Sequence, residues 1–301
     1  MTTTQLGQSQ EAVTLADSTS TSRRSRDVGF LILLWTSLLL AIATLAALLI
    51  NTLVTGATTL SWEFVTWFPS PFPEDSGIQS ALFGSLWVTL TSGVVSLVVA
   101  LGTAIYLEEF TNPNSRLQRF ITTNIQTLAG VPSIVYGILG LAFVVRGPLG
   151  WGFTVGAAAA TLTMMVLPLM IVATREALKA VPPSLREGSY ALGATRWQTV
   201  YRQVLPAARA GIATGSILGV SRAMGESAPL ILLGALAYVS YNPSGFDSDF
   251  TVLPLLIFKW STEVQEEYRT LAAAAIIVLL LLLFALNLLA IIIRDRSRVK
   301  W

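Results

Sequence analysis

The stretch LAAAAIIVLLLLLFALNLLAIII, residues 271–293, runs for twenty-three residues without a charge. A helix crosses the hydrocarbon of a bilayer with about 20 predominantly apolar residues, so this stretch reads as a membrane span. Working outward, five further runs of comparable length appear at 28–54, 81–107, 121–145, 151–174 and 211–237. The third is interrupted by Gly130, Pro132 and Gly137, and the fifth contains two charges, Arg222 and Glu226. A shorter apolar piece, 252–257, is too short to span and is expected at the outer interface. The composition agrees: 53% of the 301 residues are hydrophobic and 12% are charged, against roughly 25% charged in soluble domains. The chain has no cysteine and no histidine. Thiolate chemistry, disulfides and the commonest general base and metal ligand are therefore excluded. None of the three lysines follows a glycine, so the chain carries no phosphate-binding loop of the ATPase kind.

Charge orients the spans. With the N-terminus inside, fifteen of the nineteen basic residues fall on inner segments and three, Arg146, Lys259 and Arg269, on outer ones. That bias places both termini in the cytoplasm. The outer loops hold eight acids instead. Residues 1–27, rich in Thr, Ser and Gln, read as a disordered cytoplasmic tail. Residues 28–293 form the six-span domain, and 294–301 a cytoplasmic C-terminal tail. The first apolar run exceeds the 7–15 residues of a cleavable signal's apolar region and is expected to be retained.

The long inner loop, 175–210, has internal order. Pro182-Pro183 stops the helix before it. Ser184 with Glu187, and Thr195 with Gln198, match the capping-box spacing, in which side chains satisfy the free N–H groups of a helix start. Two short helices follow, the first ending at Gly193 as a C-terminal cap, the second running to about Val204 and stopping before Pro206.

These residues carry a resemblance. Glu187-Gly188-Ser189, Gly193 and Leu205-Pro206 resemble the EAA loop of ABC-transporter permeases, with Gly188 and Ser189 in place of two alanines and Gln203 where isoleucine is usual. In that family the loop forms a coupling helix docked on a cytoplasmic ATPase. A narrower resemblance covers most of the chain. Tyr106 to Glu109, Ala129 to Val135, Tyr190 to Gly193 and Ser221 to Leu230 are similar to phosphate ABC permeases of the PstA type. The resemblance implies an ABC importer type I permease-like fold in the bacterial inner membrane. It also implies three kinds of partner: a related permease subunit forming a heterodimer, a cytoplasmic ABC ATPase dimer and an extracytoplasmic phosphate-binding protein. The chain then performs no covalent chemistry. No cofactor, metal or nucleic acid is expected.

The charges in span five have a reading of their own. At 100° per residue, Gly211, Gly215, Gly219, Arg222 and Glu226 fall within one arc of about 80°. The glycines make a seam for close helix approach, and the two charges continue it away from lipid. An ionised side chain at mid-membrane costs at least about 2.5 kcal/mol to insert, which marks it as functional. Arg222 offers a planar, permanently charged fork suited to phosphate oxygens. Glu226 is expected to orient it, or to accept a proton from phosphate and repel sulfate. A plain ion pair is the competing reading. Arg175, at the inner end of span four, is either a snorkelling anchor or an inner-gate anion contact, the role implied by the resemblance. Glu108 and Glu109 are expected as a solvated helix end. Trp35, Trp62, Trp67, Trp87, Trp151 and Trp260 are expected in the interfacial belts. The rival functions are an ABC permease for another oxyanion, such as sulfate or molybdate, a self-contained secondary transporter, which would call for inverted repeats, and a non-transporting membrane scaffold, which gives no reason for the Arg222–Glu226 pair.

Overall fold

A computed structural model describes residues 20–112, 115–233 and 238–296. The N-terminal part of the expected tail, the outer end of expected span five at 234–237 and the last five residues lie outside the described set. Every regular element among the described residues is helical. Among the described residues five helices are long and apolar enough to cross a membrane, and a sixth span arises if one sharply bent pair is counted as a unit.

The chain divides into two compact units, residues 1–54 and 55–301. The first unit is essentially one helix, α1 (Ser20–Gly56). It begins in the polar segment expected to be disordered. Once the apolar run is helical, its hydrogen-bond ladder extends into flanking residues that only need to stay solvated. Its hydroxyls are self-sufficient: Thr36, Ser37 and Thr44 donate to Leu33, Leu34 and Leu40 carbonyls at 2.9 Å. These three hydroxyls are thus met within the helix, as hydrocarbon demands.

The second unit carries the site. After a short helix, α2 (Trp62–Thr66), α3 (Gln79–Ile105) runs into a π-helical turn at Tyr106–Phe110. α4 (Arg116–Ala129) and α5 (Ser133–Leu139), the latter extended by a π turn to Val145, form the bent pair. Their axes differ by 103°. The break has a local cause. The carbonyl of Leu128 would normally accept from the residue four later, which is Pro132 and has no N–H. The Val131 N–H and the Tyr136 hydroxyl supply bonds instead, at 3.0 and 2.8 Å.

α6 (Val155–Lys179) is the central helix, buried along much of its length. α3 packs on it, with Val88 and Ala100 sharing one core with Ala157, Ala158 and Leu162; the small residues among them allow the close approach typical of helices in a membrane. α7 (Pro183–Ala191) and α8 (Arg196–Thr199) make the loop. α9 (Leu205–Gly225) returns along α6. α10 (Ala228–Leu232), α11 (Leu253–Thr262) and α12 (Glu266–Arg296) complete the unit.

Several expectations change here. The expected interfacial piece 252–257 is inside α11, with Leu253 and Leu256 fully buried. Trp260 is fully buried too, between Phe64 and Tyr268. It fills a core against α12 instead of standing in an interfacial belt. The other five tryptophans are exposed. α8 does not stop before Pro206. Residues Arg196 to Gly225 form one continuous helix of 30 residues. A π turn at Val200–Val204 precedes Pro206. Shifting to the wider turn accommodates the residue that cannot donate.

Candidate functional site

The loop-side end of the second unit is organised by charge. Glu108 and Glu109 occupy the π turn that closes α3. Arg175, on α6, donates from Nε to Glu108 Oε1 at 2.6 Å and from Nη1 to Thr122 Oγ1 at 2.9 Å. The two side chains are 7% and 13% exposed. Arg186, on α7, donates to Glu109 Oε1 from Nη2 at 2.7 Å and from Nε at 3.2 Å. Its remaining donors reach the carbonyls of Val181 and Leu178 at 2.8 and 2.9 Å. Glu109 is 4% exposed and Arg186 21%. The adjacent acids are therefore not a solvated helix end. Each is consumed by one arginine from a different helix. Arg175 is likewise not a snorkelling anchor: it is buried and points inward to Glu108. Burying such charges is tolerable because every one is paired and hydrogen-bonded.

The loop itself takes the shape expected from its cap residues at one end and not at the other. Thr195 and Gln198 form the reciprocal capping box, with the Thr195 N–H donating to Gln198 Oε1 at 2.8 Å and the Gln198 N–H to Thr195 Oγ1 at 3.3 Å. Ser184 forms no such box. α7 starts one residue earlier, with Pro183 in its first turn and Pro182 at the cap. Proline supplies the helical φ, and the N–H it lacks at the first helical position is one the helix would leave unbonded. Gly193 has φ +80°, a left-handed conformation that favours glycine. Its N–H reaches the Tyr190 carbonyl at 2.9 Å and the Ala194 N–H the Ser189 carbonyl at 3.2 Å, the closed end of a helix. Ser189 and Thr199 hydroxyls share a hydrogen bond of 2.9 Å that ties α7 to α8. Glu187, Gly188 and Gly193 are exposed, Leu205 and Pro206 half-buried. A side chain added at Gly188 or Gly193 would meet nothing within 4 Å. Leu192 is 90% exposed, and Trp197 and Tyr201 are also exposed beside a cleft of about 510 Å³ lined by Gly188, Leu192 and Gln203.

The glycine seam of α9 faces α6. Built-in methyls at Gly211 and Gly215 would fall 2.7 and 2.6 Å from the Cβ atoms of Ala177 and Ala173, and at Gly219 2.6 Å from Met170. The helix ends at Gly225, short of the expected 237, and Glu226 takes an extended backbone as its cap. Arg222 Nε nevertheless lies 3.7 Å from Glu226 Oε1, with the side chains 41% and 21% exposed. This separation exceeds a hydrogen bond. Arg222 therefore makes no hydrogen bond to Glu226, and its side chain is 41% exposed. Among the described residues no three acids gather to hold a metal ion.

The structure thus groups the sequence-selected residues in three places: the loop (Glu187, Gly188, Ser189, Gly193, Leu205, Pro206), the end of α9 (Arg222, Glu226) and the buried ion cluster (Arg175). Sequence reasoning missed Glu108, Glu109 and Arg186 as a set. The only available signal was that three inner arginine and glutamate positions near span ends would need partners if buried.

These features define a multi-pass α-helical membrane protein with an ordered loop built on the end of one span. A family described as the binding-protein-dependent transport system inner membrane component matches residues 96–299. The chain is 34% identical over 224 residues to a probable ABC transporter permease protein, YqgI, of Bacillus subtilis (strain 168), covering 73% of this chain and 76% of that one. It is 30% identical over 286 residues to the phosphate transport system permease protein PstA of Yersinia pestis, covering 92% of each. A chain in the crystal structure of a bacterial ABC transporter involved in the import of the acidic polysaccharide alginate superposes with a TM-score of 0.64 at 19% identity. That match covers 91% of this chain and 99% of the other, and it concerns the fold. The chain belongs to the binding-protein-dependent inner-membrane permease family of ABC transporters.

Proposed function

We propose that this chain is one permease subunit of an ATP-driven importer of inorganic phosphate in the bacterial inner membrane. The observation that carries the reading is the 30% identity to a phosphate transport system permease along 92% of both chains. The geometry supports it. The exposed loop around Gly188, Gly193 and Leu192 offers an apolar, smooth surface on which an ATPase subunit docks, and hydrolysis resides on that partner. A related permease supplies the other half of the path, and an extracytoplasmic binding protein delivers the anion. The acidic outer segments do not attract a free anion, which fits delivery by a shielding carrier.

Arg222 is the proposed phosphate contact, because its guanidinium is only loosely held by Glu226 and half-exposed. Arg175 is a weaker candidate than the sequence suggested, since Glu108 and Thr122 already occupy its donors. It contacts an anion only in a state where Glu108 has moved away.

The test is uptake of radiolabelled phosphate by the complex reconstituted with partner permease, ATPase and binding protein. Arg222→Gln is expected to lower uptake about a hundredfold while assembly survives. Gly188→Trp, which meets nothing inside the chain, is expected to release the ATPase on co-purification. Uptake of sulfate or molybdate in place of phosphate would refute the substrate assignment and leave the permease reading standing. Uptake without any ATPase would refute both.

A further inference from the structure

Three consecutive residues of the π turn at Tyr106–Phe110 each hold a different element. Glu108 holds α6 through Arg175 at 2.6 Å. Glu109 holds α7 through Arg186 at 2.7 Å. Phe110 meets Trp197 of α8 with ring centroids 6.5 Å apart, and the Arg196 guanidinium lies 5.9 Å over the same ring. The wider turn matters because its groups are arranged unlike those of a regular helix end. Gln118 donates from Nε2 to the Leu107 carbonyl at 2.8 Å, fastening α4 to the same turn.

The grips are unequal. α8 is one piece with α9, so its position is set by covalent helix. α7 has no buried residue of its own. Its tie to α3 is the Arg186–Glu109 pair, in which a carboxylate 4% exposed is met by two donors of one guanidinium. Such a forked contact fixes orientation as well as distance. The same guanidinium closes onto the Leu178 and Val181 carbonyls at the end of α6. Arg186 thereby ties α3, α6 and α7 at one point.

We infer that Glu109 and Arg186 are positioning residues for transport: they make span two follow the loop helix α7, so that movement imposed on the loop by an ATPase reaches α3 as well as α9. This rests on the proposed coupling role of the loop. Removing the pair takes away the charged grip of α7 on α3 and leaves the Phe110–Trp197 contact and the bonds to the end of α6 in place, so hydrolysis continues while α3 follows the loop less closely.

The chain lacks cysteine, so two introduced cysteines are its only labelling sites when it is spin-labelled before the complex is assembled. Val98→Cys on α3 and Ala191→Cys on α7 are placed at exposed positions. Their separation is measured in the reconstituted full complex, without nucleotide and with ATP trapped. With the native pair, the separation is expected to be the same in both states. With Glu109→Gln it is expected to change on ATP binding. In the unlabelled complex, the ATP hydrolysed per phosphate imported is expected to rise about tenfold in Glu109→Gln, within the usual range of coupling energies. The exchange Glu109→Arg with Arg186→Glu is expected to restore the ratio. The inference is overturned if the native-pair separation itself changes with ATP, if Glu109→Gln behaves as wild type, or if uptake and hydrolysis fall in parallel. Where Glu109→Gln fails to assemble, the native-pair separation decides alone. A wild type that imports no phosphate refutes the substrate reading, while the label separations still decide the inference.

Discussion

The molecule holds two kinds of arginine–glutamate contact. At the loop side, Arg175–Glu108 and Arg186–Glu109 are short, largely buried and elaborated with further hydrogen bonds. At the end of α9, Arg222–Glu226 is 3.7 Å long, half-exposed and four residues apart on one chain segment. The first kind joins elements 67 and 77 residues apart in sequence; the second joins neighbours. A guanidinium hydrogen-bonded to other helices of its own chain holds helices together. One left with open donors in a span is available for an external anion. Identical residue types thus divide between helix pairing and the proposed anion contact according to how many of their donors the chain has already used.

The comparison is sharpened first by removing a buried partner. Glu108→Ala leaves Arg175 buried without its counter-charge, and the expected loss is about 3–5 kcal/mol of stability, read as a lowered melting temperature of the purified subunit complex. A melting temperature equal to wild type would erase the distinction drawn here. The second test is Arg222→Gln. It should leave the melting temperature unchanged and lower phosphate uptake about a hundredfold, or about 3 kcal/mol in the transported state. Arg222→Lys should recover only part of it, because an ammonium lacks the fork. Third, Gly193→Val forces a branched side chain into φ +80°, at an expected cost of about 1–3 kcal/mol. Gly193→Asn should cost far less, since asparagine tolerates this region. Equal melting of the two variants would show that the loop does not need its left-handed turn.

The smallest effect is expected at an exposed contact that serves as the reference. The Tyr241 hydroxyl donates to Asp249 Oδ2 at 2.8 Å. That donated proton, chiefly, raises the phenol above its ordinary value of 10. The bond is therefore present below pH 10 and is lost as pH climbs through the raised value. Tyr241→Phe should speed amide exchange around residues 241–249 below pH 10 and leave uptake unchanged. A transport defect in this variant would show that exposure is a poor guide to function in this chain.

Much of the bundle was legible because lipid imposes one rule on every span. Runs of apolar residues located α1, α3, α6 and α12, and Gly130 with Pro132 located the break between α4 and α5. The loop was legible where chemistry is local: Gly193 and the Thr195–Gln198 box both act within four residues. Ser184 misled because a proline immediately before it had already supplied the helix start. Pro206 misled because its cost is met by widening the previous turn, which no short motif announces. The burial of Trp260 and the roles of Glu108, Glu109 and Arg186 depend on partners distant in sequence, and residue spacing carries no trace of them. At the proposed phosphate contact, spacing gave the shared face of Gly215, Gly219 and Arg222. It did not give the end of the helix at Gly225, since Glu226 changes backbone direction without a proline.

The unbroken helix from Arg196 to Gly225 also sets a phase. At 1.5 Å per residue it is a rod of about 45 Å, with the loop aromatics Trp197 and Tyr201 at one end and Arg222 near the other. The π turn at Val200–Val204 fixes the angle between those ends in the way a spline fixes two gears on a shaft. Taking one residue out of that turn would swing everything beyond it by about 100° about the axis. The glycine seam would then face away from α6 and Arg222 would aim at a different neighbour. The wide turn therefore acts as the dial that keeps the loop and the arginine in register.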